Sequence, residues 1–248
     1  MLVSEILMSR LDPNDEEALL AQLENLLPDA ARNIRRFRAE GNRFEYAREV
    51  LRYGINLLPD RFEKTGISSA QPPETILLLG RREHYSGDLF FCDLIAETCA
   101  EGSMTLNGGP FLDFGCASGR IVRNMSAAYP ESKWYGCDPR REAIEWAAPT
   151  FPAVSFHTSS QEPPLPFAPE FFEGVFACSI WTHFSERAAK VWIDEMRRII
   201  KPGGWLLVTT SDVSLVDRDV PPAERDRVKS ELADRGISYV PVFQVKWF

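Results

Sequence analysis

Apolar residues recur at spacings of three and four along the first sixty positions, at Leu19, Leu20, Leu23, Leu26 and Leu27 and again at Phe44, Ala47, Val50, Leu51, Ile55 and Leu58. That period is the signature of amphipathic helices. Pro28, Gly41 and Pro59 punctuate the stripes, so residues 1 to about 70 are predicted to be wholly helical, either as a cap over the rest of the chain or as a partner-binding hairpin. A Pro-containing linker is expected at residues 70 to 74. From about 75 to 210 the pattern alternates between helical and strand periods, which predicts an α/β unit with a mainly parallel sheet covered by helices on both faces. Within it Ala189, Trp192, Ile193, Met196, Ile199 and Ile200 form one helical stripe, with Ser185 placed to cap its start and Pro202, Gly203 and Gly204 to end it. Beyond Thr210 the residues from Asp212 to Gly236 predict a loop and a helix over Ala223 to Arg235. The apolar ending Tyr239 to Phe248 leaves room for at most one further strand.

The stretch Phe111 to Arg120 carries the most chemistry. It reads as a short buried strand breaking into a small-residue turn and opening a helix, whose N-terminus would present unpaired N–H groups. Neither the G-x-G-x-x-G turn that cradles a pyrophosphate nor the G-x-x-x-x-G-K-[ST] phosphate loop is present. Instead Asp113 precedes a G-x-A-x-G turn of Gly115, Ala117 and Gly119, and a carboxylate there suits an ammonium and a sulfonium better than phosphates. The run Trp134 to Asp138 places a second acid 25 positions after Asp113, the reach of one helix and one strand. An acid closing the second strand can accept both hydroxyls of a ribose, although on its own it is more often a helix cap.

With these landmarks the chain resembles the class I S-adenosylmethionine-dependent methyltransferases over roughly residues 72 to 210. Phe172 to Ser179 looks like that family's fourth strand, followed by Trp181-Thr182-His183-Phe184, an amphipathic helix, Lys201-Pro202-Gly203-Gly204 and the strand Trp205 to Thr210. The resemblance implies a Rossmann-like doubly wound sheet of order 3-2-1-4-5, within a methyltransferase domain over 71–248 that follows the N-terminal helical region 1–70. It implies S-adenosylmethionine as cofactor, with Asp113, Gly115, Cys116, Ala117 and Gly119 around the methionine portion. Asp138 and Pro139 would lie at the ribose, Gln161 at the adenine, and Cys178 and Ser179 at the end of the fourth strand.

Three departures stand out. Ala117 replaces the usual middle glycine, adding a methyl that a negative φ would accommodate. Glu173 replaces the usual Asp, and Gln161 stands where the adenine-contacting acid would lie, with a carbonyl that can accept from the adenine amine or serve simply as a polar loop group. The antiparallel strands that usually close the sheet are incomplete. A truncated chain, or an edge completed by a partner or by the N-terminal helices, is expected.

Methyl transfer needs alignment and, for poor nucleophiles, a base. His183 is the candidate catalytic base, against the alternative that it only shapes the turn into the next helix. Tyr85 would cover the methionine end or simply pack. The expected acceptor is a small molecule or glycan precursor; the alternative is a degenerate, non-catalytic binding or assembly module. An aminopropyl transferase fits less well, since residues 178 to 184 supply no acid for a polyamine.

A net charge of −8 and a pI near 5.1 oppose a nucleic-acid surface. The basic cluster Arg32, Arg35, Arg36 and Arg38 lies between Glu24 and Glu40 and reads as a solvated helix face. Five cysteines without C-x-x-C spacing read as reduced thiols of a cytoplasmic protein, and His84, His157 and His183 lack ligand spacing for zinc. No signal peptide or membrane span is expected, while a homodimer through the N-terminal helices or the open sheet edge is.

Overall fold

A computed structural model describes residues 1–76, 85–236 and 238 of the chain. The side chain of Tyr85 and the strand expected over Tyr239 to Phe248 lie outside them. Five helices come first: α1 (Val3–Met8), α2 (Pro13–Leu26), α3 (Pro28–Ala39), α4 (Arg43–Leu57) and α5 (Pro59–Phe62). Pro13, Pro28 and Pro59 each take the first helical position, where the missing N–H costs nothing and φ is already set. There follow α6 (Tyr85–Glu101), β1 (Phe111–Phe114), α7 (Val122–Ala128), β2 (Trp134–Asp138), α8 (Arg141–Thr150), β3 (Val154–Thr158) and β4 (Phe172–Ala177). The described part of the chain closes with α9 (Glu186–Ile199), β5 (Ile200–Val208), α10 (Val216–Asp219) and α11 (Arg225–Arg235).

The five strands form one sheet of order β3-β2-β1-β4-β5, every neighbouring pair parallel. This is the Rossmann-like arrangement, and its reversal of direction falls between β1 and β4. Strand alternation sorts the core into two faces. Phe111, Trp134 and Phe176 pack with α1 to α4, α6 and α7, whereas Leu112, Phe114, Val175 and Ala177 pack with Trp192, Met196 and Ile199 of α9. Asp113, two residues from Phe111, therefore shares the face of α7 and is sealed beneath it.

The N-terminal helices are bolted to the sheet's helical layer rather than hung beside it. Asp93 of α6 accepts from the backbone N–H of Ser4 at 2.8 Å and from its hydroxyl at 2.7 Å, with the Arg48 guanidinium 3.3 Å away. Arg10 donates to the carbonyls of Thr65 at 2.6 Å, Ala127 at 2.8 Å and Ala128 at 3.3 Å, so a cation sits at the carbonyl end of α7, where the helix dipole favours it. These helices cover a face of the sheet and do not complete its β5 edge. Three of the four arginines in the basic stripe of α3 pair locally, Arg38 2.8 Å from Glu16, Arg32 2.9 Å from Asp29 and Arg35 with Glu24, and Arg36 lies over the Phe37 ring.

Several expectations need correction. Leu26 and Leu27 are exposed, because α2 stops at Leu26 and the chain turns directly into α3, and Phe44 is exposed in the first turn of α4 with the Arg48 guanidinium 5.7 Å from its ring. Ile193 is also exposed, on the outer side of α9, whose start Ser185 does cap by accepting from the Ala188 N–H. The strand after α9 begins at Ile200, so Lys201 to Gly204 form its irregular first half, with a shift in register against Phe172 to Gly174.

Candidate functional site

The carboxyl ends of β1 and β2 are stitched together by the turn that follows β1. The N–H groups of Gly115 and Cys116 both donate to the Cys137 carbonyl, at 2.9 and 3.1 Å. Ala117 N–H donates to Asp138 Oδ2 at 2.9 Å, Arg140 N–H to Asp138 Oδ1 at 2.8 Å, and Gly119 N–H to the Cys116 carbonyl at 2.8 Å. The expectation of unpaired amides at a helix start fails here: four of the turn's donors are consumed by the protein, and α7 begins only at Val122.

Crossing from β1 to Asp138 forces left-handed backbone. Gly115 and Gly119 adopt φ of +79° and +77°, and Ala117 adopts +48°, not the negative value expected for it. A side chain held there costs about 1–2 kcal/mol. Cys116 and Gly119 face inward, the first beside Gly136 and the second against Phe156.

Two acids mark this edge. Asp138 is 1% exposed; burial raises its pKa, opposed by the N–H groups of Arg140 and Ala117. Asp113 is more extreme. Its Oδ2 has no hydrogen-bond partner among the described residues, and burial pushes its carboxyl up to about 8, opposed by the Val122 N–H and reinforced by Asp138 and Asp88. Asp88 of α6 lies nearby with both oxygens engaged, by Arg120 at 2.7 and 3.0 Å and by Arg123 at 3.3 Å. This cluster was missed in sequence; its one local signal is the arginine immediately after Gly119.

A cleft opens beside the turn. Of the predicted residues it is lined by Gly115, Asp138, Pro139, Gln161 and His183, together with Phe114, Ser159, Ser160, Ile180, Phe184 and Trp192. Asp113, Cys116, Ala117, Gly119, Cys178 and Ser179 do not line it: Asp113, Cys116, Gly119 and Cys178 are buried, Ala117 is half-buried in the turn, and Ser179 is exposed, with its N–H 2.7 Å from Thr209 Oγ1. Trp192 reads in sequence as an ordinary helix-stripe residue, and Ile180 gives no sequence signal at all. Burial lowers the pKa of His183, which keeps its imidazole neutral near pH 7. Among the described residues no group of three or more His, Cys, Asp or Glu is arranged to hold a metal, and no helix is long and apolar enough to cross a membrane. All five cysteines are free and buried.

Residues 111–204 match the model of a family described as "Methyltransferase domain". With the 3-2-1-4-5 sheet, this match supports a methyltransferase domain of the class I S-adenosylmethionine-dependent type over that part of the chain. S-adenosylmethionine is the methyl donor of that family. The chain is similar to the biotin biosynthesis bifunctional protein BioHC of Teredinibacter turnerae, 25% identical over 157 residues covering 58% of this chain and 25% of the other. It is similar also to the tRNA (carboxymethyluridine(34)-5-O)-methyltransferase of Arabidopsis thaliana, 27% identical over 121 residues covering 46% of this chain and 28% of the other. The chain thus spans about a quarter of the length of these curated relatives. Among solved structures, a Pyrococcus horikoshii OT3 protein aligns with a TM-score of 0.47 and 20% identity, over 59% of this chain and 67% of that one.

The cleft's own groups suit an adenosine, with the Asp138 carboxylate for a ribose and the Gln161 side-chain amide for an adenine, while the unpaired Asp113 oxygen lies buried behind the turn, outside the cleft lining. The room does not suit one. The cleft encloses about 40 Å³, whereas small-molecule pockets hold roughly 300–1,000 Å³.

Proposed function

We propose that this chain binds S-adenosylmethionine across the carboxyl ends of β1 and β2 and transfers its methyl group to a small-molecule or glycan-precursor acceptor. One observation carries the reading: a buried acid with a vacant acceptor oxygen, Asp113, lies one strand from a second buried acid, Asp138, around a side-chain-free turn at Gly115. Leaving such an oxygen unpaired costs free energy, and a cationic ligand would recover it.

Bound there, the cofactor would supply a methyl group already activated by its sulfonium. The chain's own residues would do the rest. Gly115, Cys116, Ala117 and Gly119 would form the bed of the amino-acid end by backbone, with Asp113 behind them giving up, beside an ammonium, the proton it otherwise holds. Asp138 would hold the ribose while Pro139 walls it, and Gln161 would face the adenine. Cys178 and Ser179 would act only through the backbone that leads from β4 to the cleft. His183, neutral in its half-buried setting, would take the proton from an acceptor hydroxyl.

Calorimetric titration with S-adenosylhomocysteine tests this directly. Asp138→Ala removes a charged acceptor worth about 1.5–3 kcal/mol, so the Kd should rise roughly 10–150-fold. An unchanged Kd would remove Asp138 from the site. The narrowness of the cleft favours a second reading, a methyltransferase fold that has lost the cofactor and serves assembly. Absence of any adenosyl-ligand binding, with a stable oligomer by light scattering, would establish it.

A further inference from the structure

The mismatch between a suitable donor set and a closed cleft has a specific physical origin. A β-carbon placed on Gly115 would collide with Cδ1 and Cγ1 of Ile180, so the isoleucine side chain lies directly on the glycine that floors the cleft. We infer that Ser179–Phe184 is a gate over the cofactor cleft, with Ile180 as its plug, and that the structure holds this gate shut. The inference rests on the cleft being an adenosyl site.

The segment has the build of a gate. At one end Ser179 follows β4 in left-handed backbone, φ +62°, and is latched by its N–H to Thr209 Oγ1 at 2.7 Å beyond the end of β5. At the other end Phe184 stacks on Trp192, 6.0 Å between centroids and 9° between planes, and Ser185 caps α9. Between them the chain closes on itself, with His183 N–H to the Ile180 carbonyl at 2.9 Å and Phe184 N–H to the Trp181 carbonyl at 3.2 Å. Ile180 to His183 is therefore one rigid turn that can rotate about Ser179. A serine in left-handed backbone stores strain, which moving the turn can release. The plug is held by contact alone, since an aliphatic side chain on a bare glycine makes no hydrogen bond, and Gly115 could not bear a side chain without expelling it.

Two consequences follow for the same site. A ligand must wait for the open form, so its apparent affinity falls by the fraction of molecules that are open. His183 and Trp181 ride on the gate, so the movement that clears Gly115 for a ligand also shifts the candidate base, and a tryptophan reports it.

Stopped-flow tryptophan fluorescence of the full chain mixed with S-adenosylhomocysteine decides the matter. If the shut form dominates at about ten to one, Ile180→Ala should raise the apparent association rate and the affinity about tenfold. Thr209→Val, which keeps the side chain's shape but removes the latch acceptor, should raise both several-fold. In Trp181→Phe the binding-induced fluorescence change should largely disappear while calorimetry still detects binding. Association at the wild-type rate in both Ile180→Ala and Thr209→Val would overturn the gate while leaving the cofactor reading intact. Binding by the variants but not by the wild type would support the gate most strongly. Failure of all three to bind would instead overturn the cofactor reading beneath it.

Discussion

Asp93 in α6 and Asp113 in β1 are both 2% exposed, yet their surroundings differ in kind. Asp93 receives two hydrogen bonds from Ser4 and faces Arg48, and it fastens the N-terminal helices to the rest of the molecule. Asp113 keeps one oxygen without a partner among the described residues and holds its proton to about pH 8. Burial raises both acids, but only Asp93 has a cation and two Ser4 donors opposing it. A satisfied buried acid is an element of construction. An unsatisfied one is a place prepared for something else.

The contrast can be broken most forcefully at Asp93. Asp93→Ala removes the acceptor of Ser4 and leaves Arg48, 8% exposed, without its buried counter-charge. Removing one partner of a buried pair costs about 3–5 kcal/mol, which should appear as a large fall in the urea midpoint. A loss under 1 kcal/mol would mean that the N-terminal helices do not depend on this acid.

Asp113→Asn should act in the opposite sense at alkaline pH. Asp113 binds its proton up to about pH 8 when folded but only to the usual 3.8 when unfolded. Its contribution to stability is therefore fully present below 3.8 and drains away as pH rises through about 8. An amide does not titrate, so melting curves of Asp113→Asn should fall less between pH 6 and pH 9 than those of the wild type, and the ligand-free variant should be the more stable at pH 9. Parallel curves would show that Asp113 ionises normally in the fold.

The smallest effect is expected in the turn itself. Ala117→Gly relieves a left-handed alanine at the expense of greater freedom in the unfolded chain, so the net gain is at most about 1 kcal/mol. That corresponds to a rise in melting temperature of roughly 2–4 °C for a chain of this size. A fall would indicate that the alanine methyl makes packing contacts worth more than its strain.

The strands were legible because β1, β2 and β4 are short apolar runs bounded by turn residues, and Ser185 announces α9 by capping chemistry that is wholly local. The sheet order came from the family resemblance rather than from the pattern. In the candidate site the acids and the bend were visible, but their partners were not. Ala117 takes positive φ because its N–H must reach Asp138, 21 residues away, and Ile180, which covers Gly115, comes after β4, three strands later in the chain. Neither relation leaves a trace in nearby sequence. Helical spacing likewise counted Leu26 and Leu27 as core, since periodicity records where apolar side chains fall and not where the helix stops.

Arg10 grips carbonyls 117 and 118 positions further along the chain, and Ser4 grips an acid 89 positions away. On the ribosome, at about 5–20 residues per second, α1 must wait roughly 6–24 s before α7 has been made. Val3 and Leu7 can meet α4 and α6 sooner, so the cover of α1 is completed in stages and only its last contact waits for α7.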